Sequence, residues 1–324
     1  MASLKNIKLK ILSYKKTGTV THAMEAVSAV KMRKSQERAL GGRAYAASAL
    51  SVLERLSGTI DATRHPLMQP ARPSDPGHSG GARGPSTTLG VNKTCFVIVT
   101  SDKGLAGSLN SGVIRAVESE IVRLKLDKKD VVMIALGRRG GDYFTSRGYD
   151  VRQKLENVSD DVSEAQMRDV TDKIMAWHAS GEVGAAIMAY TNFVSTFEQE
   201  AITRQIIPVT PALIAEIIAG IRPARGRYAP TPGDVIAPPA TYTIEPDADA
   251  VFAVLLPRLL NIAIFHAMLE SKASEHSARM VAMKSATDKA KEMAQSYTRT
   301  FNKIRQAAIT AEVSEITSGM EAMK

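Results

Sequence analysis

The chain has 324 residues, 44% of them hydrophobic and only 5% aromatic, with one cysteine and a formal net charge of +9. The lone Cys95 excludes an internal disulfide framework and a cysteine-based zinc site. Alanine in place of aromatics favours helices packed closely through small side chains over a broad aromatic-filled interior.

The opening "MASLKNIKLKILSYKK" carries lysines where a secretory leader needs an unbroken apolar stretch, so no leader is expected. No run of roughly 18 apolar residues suggests a membrane span, and a soluble or peripheral, cytosol-exposed protein is expected. Residues 2–58 contain no proline. Leu4, Ile7, Ile11 and Tyr14 step by three and four, and Val20, Met24 and Val27 continue the spacing. That pattern predicts the seam of one long amphipathic helix, assigned to residues 1–60 and suited to a coiled coil. The same stretch holds seven lysines and four arginines against three glutamates, a net +8 out of the chain's +9. Nucleic acid is the usual partner of such a basic stripe, and an acidic protein surface is the other. Single-strand binding needs interleaved aromatics, and only Tyr14 and Tyr45 lie here.

Residues 61–93 contain "RHPLMQPARPSDPGHSGGARGPSTTLG", whose proline, glycine and serine content predicts a flexible surface insertion. His65 and His78 within it have no carboxylate or cysteine at ligand spacing, so no metal site is expected there.

Residues 94–221 alternate. "TCFVIVTS" predicts a strand that buries Cys95, "SLNSGVIRAVESEIVRLK" a helix, and "DVVMIAL" a second strand. "SEAQMRDVTDKIMAWHAS" predicts another helix, followed by the strands "AAIMAYT" and "AITRQIIP". Strands alternating with helices of this length predict a small parallel α/β sheet of Rossmann-like type. Residues 222–246 carry six prolines and read as irregular, and residues 247–324 as a second long helix interrupted only by Pro257. Its seam runs Met280, Met283, Thr287, Ala290, Ala294, Tyr297, Phe301, Ile304, Ala308 and Ala311, with a second track at Ile309, Val313, Ile316 and Met320. The methionines and Tyr297 read as coiled-coil core. Two long helices at the ends of an α/β domain pair most simply as an antiparallel coiled coil.

Catalytic signals are sparse. "VTSDKGLAGSLNSG", residues 99–112, is a glycine loop between a strand and a helix, where phosphate sites form. Its spacing is neither G-x-G-x-x-G nor a P-loop, so Asp102 and Lys103 read as parts of a structural turn. "GRRGG", residues 137–141, reads as a solvated turn. Ser274, Glu275, His276 and Ser277 of "SEHSAR" sit at adjacent helix positions, which point apart and cannot converge as a triad. From these residues alone a coiled-coil interaction protein ranks first. A nucleotide-binding α/β enzyme dimerised by its terminal helices ranks second.

"AMEAVSAVKMRKSQERA", "SDKGLAGSLN" and "SEHSARMVAMKSATDKA" with "YTRTFNKIRQAAITAEVSEITSG" stand in an order and spacing that resembles the γ subunit of the F-type ATP synthase. The resemblance is close over both terminal helices and holds in outline over the middle domain; it lapses at 64–90 and around 210–240. It implies a non-catalytic rotor shaft, without cofactor, nucleotide or metal, that couples ion flow to ATP synthesis or hydrolysis. The terminal helices would form a left-handed antiparallel coiled coil inside a ring of three α and three β subunits. The α/β domain would stand with ε and the membrane c-ring, one copy per complex, with no nucleic acid. Carried over by motif, Arg305, Gln306 and Thr310 resemble the residues that meet catch loops of α and β, and Met24, Lys31 and Arg33 those that face an acidic lever of β. With one cysteine the chain lacks the regulatory cysteine pair of chloroplast forms. A bacterial protein, peripheral on the cytoplasmic face of the cell membrane, is therefore expected.

Overall fold

In a computed structural model the described residues are 4–41, 66–69, 93–210 and 248–323. They belong to two compact units, one comprising Met1–Val30 with Arg279–Lys324 and the other Lys31–Ala278.

The larger unit is built on a five-stranded sheet. Its strands are β1 (Lys93–Val99), β2 (Val131–Leu136), β3 (Asp150–Leu155), β4 (Val183–Phe193) and β5 (Gln199–Ile207), in the order β3-β2-β1-β4-β5. β1, β2, β3 and β4 pair in parallel. β5 departs from the all-parallel expectation: a short loop returns it antiparallel to β4, with Phe193 opposite Gln199. A hairpin needs only a few residues, whereas a parallel return needs a crossover.

β2 is buried throughout and β1 from Thr94 onward, as the apolar runs "TCFVIV" and "VVMIAL" require for strands covered on both faces. One face carries Cys95, Val97, Val99, Ile134 and Met188. It is covered by α4 (Glu164–Ala179), through Met167, Val170 and Ile174, and by Leu256, Leu260, Ile264 and Met268 of the last helix. The other face carries Phe96, Ile98, Met133 and Ile187 and packs on α2 (Leu109–Arg123) and on Phe144 of α3 (Arg138–Ser146).

Two elements were not foreseen. "GRRGG" opens the helix α3, and its glycines set the distance to the sheet. A Cβ on Gly140 would come within 3.0 Å of the Thr100 side chain, and one on Gly141 within 3.2 Å of Ala135. β3, "DVRQKL", alternates exposed and half-buried residues as an edge strand does, so its charges mask it.

The last helix, α5 (Ala248–Ala322), has 75 residues and contains Pro257. Contrary to the apolar-run reading, one stretch of it is long and apolar enough to cross a membrane by length and composition; 61% of that stretch is buried inside the protein. α1 (Leu4–Gly41) is helical as expected, and the expected continuation past residue 41 lies outside the described residues. So do 222–246 and all of 61–93 except 66–69 and Lys93. Within those four residues the surface-insertion reading fails locally. Leu67 is buried in the sheet core, and its carbonyl accepts a 2.8 Å hydrogen bond from Val209 N–H.

Candidate partner-contact site

In the smaller unit α1 and the distal part of α5 run antiparallel. Tyr14 stacks on Tyr297 with ring centroids 5.4 Å apart, and Thr21 Oγ1 lies 2.7 Å from Thr287 Oγ1. A Cβ on Gly18 would sit 3.7 Å from that of Ala290. Rising number on one helix thus meets falling number on the other. Ile7, Met283, Ala290 and Ala294 are buried, so small side chains let the backbones approach. Met280, Tyr297, Phe301, Ile304 and Ala308 are half-buried as the periodicity requires, while Ala311 is exposed.

The α1 seam differs from the expected one after its second turn. Leu4, Ile7, Ile11 and Tyr14 face inward, but Val20 and Val27 are exposed, at 58% and 56%. The seam keeps the expected Met24 but otherwise passes through Gly18, Thr21 and Ser28. Hydrophobicity misleads there because the contact is made by small and hydroxyl side chains.

A groove of about 960 Å³ borders this seam, lined by Gly18 and Ala294 among small residues and by Lys15, Lys291 and Arg299 among basic ones. Ile309, Val313, Ile316 and Met320 form an exposed apolar track beyond it. Arg305 and Gln306 are exposed, and Thr310 Oγ1 donates to the Gln306 carbonyl at 3.0 Å. Arg33 makes a 3.2 Å pair with Glu37 one turn on. Lys31 has a partner in its own chain: its Nζ lies 2.7 Å from Asp160 Oδ2.

In the larger unit the glycine loop is closed on itself. Ser101 N–H donates to Asn110 Oδ1 at 2.9 Å, and Ser101 Oγ donates to the Lys103 carbonyl at 2.6 Å. Asp102 Oδ1 accepts the first N–H of α3, from Arg138, at 3.0 Å, and Thr100 Oγ1 accepts that of Gly140 at 2.9 Å. The Asp102 carboxylate therefore caps the N-terminus of α3, where the helix dipole favours an anion. Among the described residues no group of His, Cys, Asp and Glu could hold a metal ion.

Residues 271–277 of α5, which include the start of "SEHSAR", are structural cement. Ser271 Oγ accepts Thr191 N–H at 3.2 Å, Ser274 Oγ donates to the Thr191 carbonyl at 3.3 Å, and Ser277 Oγ donates to that of Thr196 at 2.6 Å. His276 Nε2 lies 2.8 Å from Asp160 Oδ1, and Lys272 Nζ donates to the Val158 carbonyl at 2.9 Å. The four side chains of 274–277 diverge, as their helical spacing demands.

A family model described as ATP synthase matches residues 3–323. The ATP synthase gamma chain of Heliobacterium modesticaldum is 34% identical over 323 residues, covering 100% of both chains. The chain belongs to the ATP synthase gamma family. Gamma-chain membership fits a molecule whose longest elements are two terminal helices and whose loop lacks phosphate-binding spacing. Solved structures share the fold. A chain of the Euglena gracilis mitochondrial ATP synthase (OSCP/F1/c-ring) has a TM-score of 0.63 at 17% identity, over 99% of this chain and 94% of that one. One from the Tetrahymena thermophila mitochondrial central stalk and c-ring has 0.54 at 19%, over 82% and 99%.

Proposed function

We propose that this gamma chain is the non-catalytic central shaft of a rotary ATP synthase, turning inside a ring of three α and three β subunits. One copy stands on ε and the c-ring, at the cytoplasmic face of a bacterial membrane, and couples ion flow to ATP synthesis or hydrolysis. The full-length match to a gamma chain carries this reading. The paired helices with their basic groove supply what a shaft needs: a stiff element whose charge attracts acidic levers without fixing one pose.

Within this reading Arg305, Gln306 and Thr310 meet catch loops of α and β, and the track Ile309, Val313, Ile316, Met320 rests in an apolar bearing. Met24 and Arg33 face an acidic lever of β. Lys31 adds to that positive face, sharing its ammonium donors with Asp160. The loop at 101–110 holds the domain together and takes no nucleotide.

Two measurements test the proposal. Co-purification of the tagged chain from its native membrane should recover α, β, ε and c subunits, and recovery without α and β defeats it. Titration of the isolated chain with a fluorescent ATP analogue should show no saturable binding. Micromolar affinity that is lost in Lys103→Ala would establish the nucleotide-binding enzyme instead.

A further inference from the structure

The loop between β3 and α4 is gripped from two sides. Val158 and Val162 are buried in the sheet core and fix its ends. Between them the Asp160 carboxylate divides its oxygens, Oδ2 to Lys31 of α1 at 2.7 Å and Oδ1 to His276 of α5 at 2.8 Å. Arg38 of α1 donates to the Asp160 carbonyl at 2.8 Å and lies 3.2 Å from Asp161 Oδ1. Lys272 of α5 donates to the Val158 carbonyl, with Glu275 at 3.7 Å from its ammonium. Lys31 and Arg38 of α1 thus both reach residues 160 and 161.

We propose that Asp160 is a positioning residue for rotary coupling, a carboxylate clasp that fastens both long helices to the α/β domain so that they turn with it. The inference rests on the shaft reading above. A single carboxylate suits the task because it accepts from two cationic or N–H donors at once, in the charge-assisted bonds that are short and strong. An exposed ion pair holds little by itself. Here one end is buried on His276, 4% exposed, and both ends share one carboxylate seated between two core valines. Lys31 then acts through Asp160 as well as through its charge. Burial alone would push the Asp160 carboxyl up. The Lys31 hydrogen bond and the His276 contact outweigh burial and lower it to about 2, so the clasp is closed at neutral pH.

The test uses the whole reconstituted complex, comparing ATP-driven ion pumping with ATP hydrolysis. Asp160→Asn turns an N–H₂ toward one of its two donors, and the pumping-to-hydrolysis ratio should fall at least twofold while subunit composition stays complete. Asp160→Glu, which restores the charge at a longer reach, should recover part of the loss. Adding Lys31→Met to Asp160→Asn should cost less than the sum of the two single losses, since both changes open one contact and only the charge that Lys31 presents outside the clasp is lost besides. Arg38→Met gives an independent reading if Asp160→Asn fails to assemble: faster amide exchange over residues 31–38 and a lowered ratio are expected. An unchanged ratio in assembled Asp160→Asn overturns the clasp, as does an unchanged ratio in Arg38→Met where that variant has to stand in. Fully additive losses with Lys31→Met show that Lys31 works elsewhere, and overturn its place in the clasp. A wild-type complex that lacks α and β, or does not pump, fails the shaft reading instead and is distinguishable at once.

Discussion

Against burial, which alone would raise it, the Asp160 carboxyl is held well below the usual carboxylate range by its partners Lys31 and His276. It is lowered from an ordinary value near 3.8 to about 2. A group depressed on folding adds stability above its unfolded pKa and loses it as pH falls through the folded one. The stability gap between wild type and Asp160→Asn should therefore hold steady from pH 6 to about 5, narrow below about 4, and be small near pH 2. Urea midpoints at each pH would check this, and a gap that widens on acidification would refute it. Cys95 behaves oppositely. Complete burial pushes its thiol up to about 12 against a smaller opposing pull from Arg152. It should resist thiol reagents in the native protein and react only on unfolding. Gly137 is a third such position: at φ +107° a Cβ would lie 2.0 Å from the Thr100 carbonyl oxygen. Gly137→Ala should cost at least about 2 kcal/mol, from strained backbone plus displaced β1, measurable as a shifted urea midpoint. Two of these three environments, those of Asp160 and Gly137, are invisible in a run of letters. That of Cys95 in "TCFVIVT" could be read, because an unbroken apolar run marks a doubly covered strand.

At the level of elements, legibility followed how completely each element buries itself. β1, β2, α2 and α4 could be read because their apolar patterns serve the core directly. β3 could not, since an edge strand keeps alternate charged side chains in water. α3 was hidden by the two glycines that its close approach to the sheet demands. The α1 seam was half legible: leucine, isoleucine and tyrosine marked its first turns, then Gly18, Thr21 and Ser28 took over unannounced. That shift predicts an inverted mutational pattern. Ala290→Leu, at a buried small-residue contact, should destabilise the helix pair by about 1–3 kcal/mol through overpacking. Val20→Ala, 58% exposed, should stay within about 0.5 kcal/mol. Thermal unfolding of the two variants would decide between this seam and one through Val20 and Val27.

For the whole molecule, charge carries the prediction. α1 holds seven lysines with Arg33 and Arg38 against Glu25 and Glu37. If its basic face meets acidic levers, Arg33→Glu should lower the pumping-to-hydrolysis ratio more than Arg33→Ala, because reversal adds repulsion where removal only forfeits attraction. The difference should shrink in high salt, which screens exposed charges beyond roughly 8 Å at physiological strength. Equal ratios in both variants and wild type would take Arg33 out of the contact. The proposed contact residues could be named only through resemblance, since Arg305 or Gln306 on an exposed helix carries no local mark of a partner. The tie from Lys31 to Asp160 was beyond any sequence pattern, because a loop 129 residues away supplies the carboxylate.

The way α5 covers the sheet has a consequence for synthesis. β1 ends at Val99, yet one apolar face of the sheet closes only when Leu256–Leu269 have been made, about 170 residues later. At roughly 5–20 residues per second a nascent chain carries that face open to water for about 10–30 s. The β4–β5 hairpin, complete at Ile207, waits about 70 residues, roughly 4–14 s, for Ser271, Ser274 and Ser277 to tie its backbone down. Throughout that interval the half-made domain exposes apolar surface, the condition under which nascent chains are prone to aggregate.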